Sequence, residues 1–285
     1  MGPFDSMTHV SIYTAIIVII LLVVALRTNP ITIVIKFVQA FISNGKNLLH
    51  LIAVLLILYM NKLELQVEQK LNFTADFAQT FSQIEGKFVE NVQHFFYNDL
   101  LTYFTSFYYV IIFTTLMIVS IGIYIYQKNY QLFYALCYAI LITYIVAMPF
   151  YLFFPVTEVW YTQPKVDLLI HNVFPTFEQE YRLMSGIDNC FPSLHTSLSV
   201  TMAFIAARSE NRFWRYFTAI SAVIVIFSIF YLGIHWFLDM CGGLALGIFA
   251  AKAGQYIADR QTTKDKKLGA RVTVPSQSKT QNLSE

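Results

Sequence analysis

The chain has 285 residues, of which 56% are hydrophobic and 13% are charged, and its formal net charge is +2. Soluble domains carry about a quarter of charged residues, so this composition excludes an ordinary soluble protein and indicates an integral membrane protein. The small net charge and the lack of any nucleic-acid motif predict no nucleic-acid partner.

Apolar blocks in chain order predict the membrane helices. A helix needs about 20 residues to cross about 30 Å of hydrocarbon. The first block has no basic leader and no small-residue cleavage site, so we expect a retained anchor rather than a secretion signal. A further block at 31–43 is short and contains Lys36, which favours an interfacial or re-entrant helix. The seven candidate spans are 10–26, 48–60, 101–126, 132–154, 194–207, 216–234 and 240–257.

This pattern predicts an all-α fold, a polytopic membrane helix bundle with six to seven transmembrane helices and an outer amphipathic helix. We expect N-terminal membrane helices at 1–63, an extracytoplasmic amphipathic segment at 64–100, a main helix bundle at 101–258 and a disordered cytoplasmic tail at 259–285. The amphipathic segment is marked by apolar residues three and four apart, which predict one helix that lies on the outer leaflet or caps the bundle. They are Phe73, Phe77, Phe81, Ile84, Phe88, Val92 and Phe95.

The charges of the connections predict the orientation. Basic residues concentrate in alternate connections, for example Lys128 in one and Arg208, Arg212 and Arg215 in another. The segments 61–100 and 155–192 carry more acidic than basic residues. By the positive-inside rule the basic connections are cytoplasmic, so both acidic segments face the extracytoplasmic side.

Two short motifs lie at the predicted ends of membrane spans. The first, Cys190 to His195, lies at the end of the second acidic segment, 155–192. The second, His235 to Asp239, follows the sixth candidate span, 216–234. His235 and Asp239 are four residues apart, so on a helix they share one face, and the carboxylate can hold one imidazole nitrogen while the other faces a substrate. A histidine held in this way can act as a nucleophile or a general base.

The earlier motif supplies an anion site. Pro192 and Ser193 are typical of a helix start, and the first amides of that helix, beginning at Leu194, are free to bind an anion. His195 then lies on the first turn beside a bound phosphate, where it can protonate a leaving oxygen. Together the motifs predict phosphoryl transfer from a membrane lipid phosphate to water or to an alcohol or lipid acceptor. No cofactor and no metal is expected.

The residues resemble a known family. Phe191-Pro192-Ser193-Leu194-His195 is similar to the Pro-Ser-x-His signature of the type 2 phosphatidic acid phosphatase superfamily, and His235-x-x-x-Asp239 to its later signature. The resemblance implies that 101–258 is a catalytic, phosphatase-like bundle. It implies a nucleophilic His235, an orienting Asp239, a leaving-group acid at His195 and a phosphate ligand at Ser193.

The earlier Lys-x6-Arg-Pro signature of that superfamily has no counterpart here. The absence of these cations is similar to what is seen in the aureobasidin-resistance, or inositol phosphorylceramide synthase-like, branch. The Tyr-Leu-x-x-His pattern of that branch also resembles Tyr231 to His235. A phosphate still needs positive charge. Arg182, whose planar fork suits phosphate, and Lys165 in the same outer loop are the candidate replacements.

Three functions remain open at this point. The protein can be a lipid phosphate phosphatase acting on a phospholipid or polyprenyl phosphate, a phosphotransferase that moves a phospho-headgroup between lipids, or a non-catalytic lipid binder or transporter. We favour the phosphatase, because a histidine oriented by a carboxylate suits turnover better than binding, and because no segment resembles a dedicated acceptor site.

Overall fold

The computed structural model describes residues 4, 6–71, 75–181 and 185–272. Within this part of the chain the regular structure is helical and no strand is present, which confirms the predicted all-α class. The helices in chain order are α1 (Met7–Leu26), α2 (Pro30–Ile42), α3 (Gly45–Leu71), α4 (Ala78–Glu85), α5 (Phe88–Phe96), α6 (Asp99–Phe107), α7 (Phe113–Tyr126), α8 (Tyr130–Phe153), α9 (Val159–Thr162), α10 (Phe177–Glu180), α11 (Leu194–Ala206), α12 (Arg212–Tyr231) and α13 (Phe237–Val272).

Six helical stretches of the described chain are long and apolar enough to cross a membrane. One of them, Asp99–Tyr126, contains α6, a π-helical turn at Tyr108–Ile112, and α7. The six are Met7–Leu26, Gly45–Val67, Asp99–Tyr126, Tyr130–Phe153, Arg212–Tyr231 and Phe237–Lys264. Two shorter apolar helices, Pro30–Ile42 and Leu194–Ala206, correspond to the short blocks of the sequence. The protein is therefore an integral membrane protein with six long candidate spans.

The predicted amphipathic segment, 64–100, is not one helix. It forms α4 and α5, which are separated at Gly86, where φ is +60°, a conformation that glycine adopts without steric cost. Phe81 is buried against Phe154, Phe191 and Trp236, so the segment caps the bundle. Phe73 of the predicted stripe lies outside the described residues.

Part of the predicted tail is helical. The last helix runs on to Val272, so residues 259–272, which we expected to be disordered, are helical. An ion pair between Asp259 and Arg208, at 3.2 Å, holds this extension at the end of α11. Residues 273–285 lie outside the described part of the chain.

Helix α11 lies inside the bundle and packs against α7, α8, α12 and α13. Its contact with α13 depends on glycine, because a Cβ at Gly243 would lie 2.7 Å from the carbonyl oxygen of Ser193. The backbone amide of Ser193 also donates to the carbonyl of Asp239, at 3.1 Å. These close contacts bring the two sequence motifs together at one end of the bundle.

Candidate active site

The site begins at the amino-terminal end of α13. The Nδ1 atom of His235 lies 3.2 Å from Oδ2 of Asp239, and the same oxygen accepts the amide of Trp236 at 2.9 Å. The helix starts only at Phe237, so His235 precedes it and does not share a helical face with Asp239 as the spacing predicted. The contact forms because the carboxylate folds back over the first turn, as in a capping box.

A second carboxylate completes this helix start. Glu85, at the end of α4, accepts the amides of Phe237 at 2.8 Å and Leu238 at 2.7 Å. The amides at the start of α13 thus donate hydrogen bonds to two carboxylates, those of Asp239 and Glu85. The positive end of the helix dipole lies there and favours negative charge. Burial raises the pKa of the Glu85 carboxyl, the two amides act against this, and the nearby Asp239 adds to the increase.

His195 faces His235 across the site. Their ring centroids are 6.1 Å apart, and Nε2 of His195 is buried with no hydrogen-bond partner among the described residues. The His195 ring stacks on Tyr109, with centroids 4.0 Å apart and an interplanar angle of 17°, and also packs against Phe113. Tyr109 lies in the π-helical turn, an irregularity that is frequent at functional sites.

The helix start before His195 is built as the sequence predicted, but its donors are partly used. Ser193 is the N-cap of α11, and its hydroxyl accepts the amide of Thr196 at 3.3 Å. Its own amide is bonded to Asp239. Leu194 and His195 carry first-turn amides that the helix itself leaves without acceptors, and both residues line the cavity described next. Fewer amides are therefore free to bind an anion than the sequence predicted.

A small cavity of about 120 Å³ joins the two histidines. Both histidines are buried, and Asp239 has no exposed surface. Oδ1 of Asp239 is buried and has no hydrogen-bond partner among the described residues. Among the described residues that line the cavity none is Lys or Arg, whereas Glu158 is one of them.

Of the two cations predicted to bind phosphate, Lys165 and Arg182, the structure describes only Lys165. Lys165 is not among the cavity-lining residues; its side chain is 69% exposed, and its Nζ lies 3.9 Å from Glu90. Arg182 lies outside the described residues. The described residues on either side of that segment, Tyr181 and Ser185, both line the cavity.

Three groups in the site could also hold a metal ion. Cys190, His235 and Asp239 place one potential ligand atom each within 4.8 Å of one another, and all three are buried. The imidazole and the carboxylate of this set are already joined by the hydrogen bond described above. Cys190 forms no disulfide bond with another described residue.

Sequence reasoning missed Glu85, Tyr109 and Glu158. Each reaches the site from an element far away in the chain, and none belongs to a motif. Tyr109 gave no signal, because nothing in the spacing of an apolar block marks a π turn.

The fold and the buried site define a helical membrane protein with a histidine and carboxylate centre at one end of its bundle. A model of the PAP2 superfamily matches residues 82–253, which is more than half of the chain. The chain belongs to the PAP2 superfamily. This agrees with the resemblance carried by the two motifs.

A curated relative matches a shorter stretch. The chain is 37% identical over 76 residues to an Escherichia coli (strain K12) protein named "Putative undecaprenyl-diphosphatase YbjG". The match covers 26% of this chain and 38% of that protein, so the chain spans less than half of the relative's length. No solved structure gives a significant match.

Proposed function

We propose that the protein is a lipid phosphate phosphatase of the membrane that works through a phosphohistidine intermediate on His235. The observation that carries the proposal is the 3.2 Å contact between His235 and Asp239 at a cavity that His195 also lines. Membership of the PAP2 superfamily and the name of the relative support a lipid phosphate as the substrate.

In the first step the Nε2 atom of His235 attacks the phosphorus of the lipid phosphate. A nitrogen–phosphorus bond forms, the bond from phosphorus to the lipid oxygen breaks, and His195 donates a proton to that oxygen. Asp239 accepts a hydrogen bond from the Nδ1–H group of His235, which selects the required tautomer and stabilises the positive charge that develops on the ring.

In the second step water attacks the phosphoryl group on His235. His195, now without its proton, accepts one from the water, and the nitrogen–phosphorus bond breaks to release phosphate. The amides of Leu194 and His195 donate to the phosphoryl oxygens in both steps, with Ser193 capping the helix that presents them. Arg182 is proposed as the cation that balances the phosphate charge, while Lys165 is a weaker candidate given its exposure.

We further propose that the site faces the extracytoplasmic side. It lies at the end of the bundle where α11 and α13 begin, whereas Arg208, Arg212 and Lys128 lie at the opposite ends of these and neighbouring helices. The positive-inside rule assigns that basic end to the cytoplasm.

The test uses purified protein in detergent with radiolabelled lipid phosphates. We expect release of free phosphate and, after a denaturing quench at alkaline pH, a labelled protein whose label is stable in base and lost in acid, as expected of a phosphohistidine. His235→Ala abolishes both, and His171→Ala, which alters an outer-loop histidine beside Glu178, serves as the matched control. Equal activity of the wild type and His235→Ala overturns the proposal.

The same assay separates the other two functions. Diacylglycerol, ceramide or inositol is added as an acceptor, and the transferred headgroup is measured beside free phosphate. Transfer that depends on the acceptor, without free phosphate, identifies a phosphotransferase. Saturable lipid binding without turnover of any substrate identifies a binder.

A further inference from the structure

A second, larger space adjoins the catalytic cavity. A groove of about 800 Å³ is bounded by α1, α3, α7, α8 and α11. Five residues line both spaces, so the groove and the cavity are direct neighbours. They are Asn61, Phe113, Tyr144, Tyr181 and Ser185.

The groove runs from the site into the depth of the bundle. On α11 its lining includes Leu198 and Met202, the second of which lies about 10 Å along the helix from His195. On α1 the lining extends from Met7 to Val18, a distance of about 16 Å. The amide of Met7 is bonded to Glu180, which places the start of α1 at the end of the bundle that holds the site.

The polarity of the lining changes along this path. Asn61 and Ser185 line both the groove and the cavity, whereas the deeper lining is mostly apolar. The deeper residues include Val18, Met117, Ile118, Ile140 and Met202. A polar mouth beside a catalytic site with an apolar channel behind it matches a ligand that has a charged head and a hydrocarbon tail.

One wall of the groove comes from outside the region matched by the family model. Helix α1 and the groove-lining part of α3 precede residue 82, where that match begins. We propose that these N-terminal helices form the binding site for the single hydrocarbon chain of a polyprenyl phosphate and so select the substrate. A single groove suits one chain better than the two chains of a diacyl lipid. This inference rests on the proposed function.

Two tryptophan substitutions on α1 test the groove. Val18 lines it, whereas its neighbour Ile19 is 51% exposed and does not. Val18→Trp displaces several methylene groups of a bound chain, and we expect the ratio of kcat/KM for a long polyprenyl phosphate to that for para-nitrophenyl phosphate to fall about tenfold. Ile19→Trp is the matched control, and Ala15→Trp, also in the groove, is the second variant.

The wild type supplies an independent readout. Its kcat/KM is expected to rise from geranyl phosphate to longer polyprenyl phosphates, and Val18→Trp to reduce this rise. An equal ratio for Val18→Trp and Ile19→Trp, no dependence on chain length, or an equal effect of Val18→Trp on phosphatidic acid overturns the inference while the proposed function stands. Failure of the wild type to hydrolyse any lipid phosphate overturns both.

Discussion

The carboxylate of Glu85 accepts the amide of Leu238 at 2.7 Å, although the two residues are 153 positions apart in the chain. This contact joins the end of α4 to the first turn of α13. Asp239, which contacts His235, lies on the same turn. The contact of Glu85 therefore stabilises both the position of α4 over the bundle and the turn that orients His235.

Glu85→Gln is expected to flatten the dependence of stability on pH. The pKa of Glu85 is raised in the folded protein, chiefly by burial, so the folded state binds its proton more tightly than the unfolded state does. The resulting stabilisation is complete below the ordinary pKa of about 4.3 and is lost as the pH rises through the raised value. Thermal unfolding in detergent from about pH 4 to pH 7 measures the difference between wild type and variant.

Glu178→Gln is the control for that experiment, since this glutamate lies in α10 and is 41% exposed. A wild type whose melting temperature relative to Glu85→Gln rises with pH over the same window would contradict the assigned direction.

Asp239→Asn is expected to lower kcat by about four orders of magnitude. The amide still fills the space, but it does not stabilise positive charge on His235 and it permits the wrong tautomer. Steady-state hydrolysis of a lipid phosphate measures the effect. Asp259→Asn is the matched control on the same helix, since Asp259 pairs with Arg208 at the other end. Similar losses in both variants would refute the specific role of Asp239.

Tyr109→Leu is expected to slow turnover by up to about tenfold, since an aromatic stack is worth about 0.5–1.5 kcal/mol. The loss should be largest for substrates with poor leaving groups, because the stack holds the ring of His195 that donates the proton. Tyr109→Phe keeps the stack and should retain activity. A series of aryl phosphates with different leaving groups measures the effect, and a loss that is uniform across the series would exclude this explanation.

Arg182→Ala is expected to reduce kcat/KM by about 10- to 100-fold, which corresponds to the loss of one charge-assisted hydrogen bond to phosphate. Lys165→Ala is expected to change it less than about twofold, because an exposed ion pair such as that with Glu90 contributes little. Kinetics with one lipid phosphate compare the two. A larger loss of kcat/KM in Lys165→Ala than in Arg182→Ala would identify Lys165 as the phosphate-binding cation instead.

A chelator is expected to leave turnover unchanged. The proposed steps use His235, His195 and Asp239 without a metal, even though Cys190 completes a set of potential ligands with two of these residues. Activity is measured after dialysis against EDTA and after the addition of Mg²⁺ or Zn²⁺. Loss on dialysis that either ion restores would replace this mechanism with a metal-dependent one.

Local features of the chain were predictable because their physical cause is local. Hydropathy over about 20 residues predicts membrane helices whatever their neighbours. The block at 194–207 and the helix Leu194–Ala206 agree almost to the residue, since Pro192 and Ser193 determine the helix start through their own backbone and side-chain chemistry. The four-residue spacing of His235 and Asp239 also predicted their contact, although not the backbone that produces it.

The contacts between distant parts of the chain that complete the site could be seen only in the tertiary structure. Helix α13 begins after His235, and its first amides are bonded to Glu85, which comes from a different part of the chain. Tyr109 reaches His195 through a π turn, and the N-terminal helices meet the catalytic cavity at a groove. These features depend on packing between elements that are distant in sequence. Residue spacing within one helix carries no information about which distant side chain will fill the space beside it.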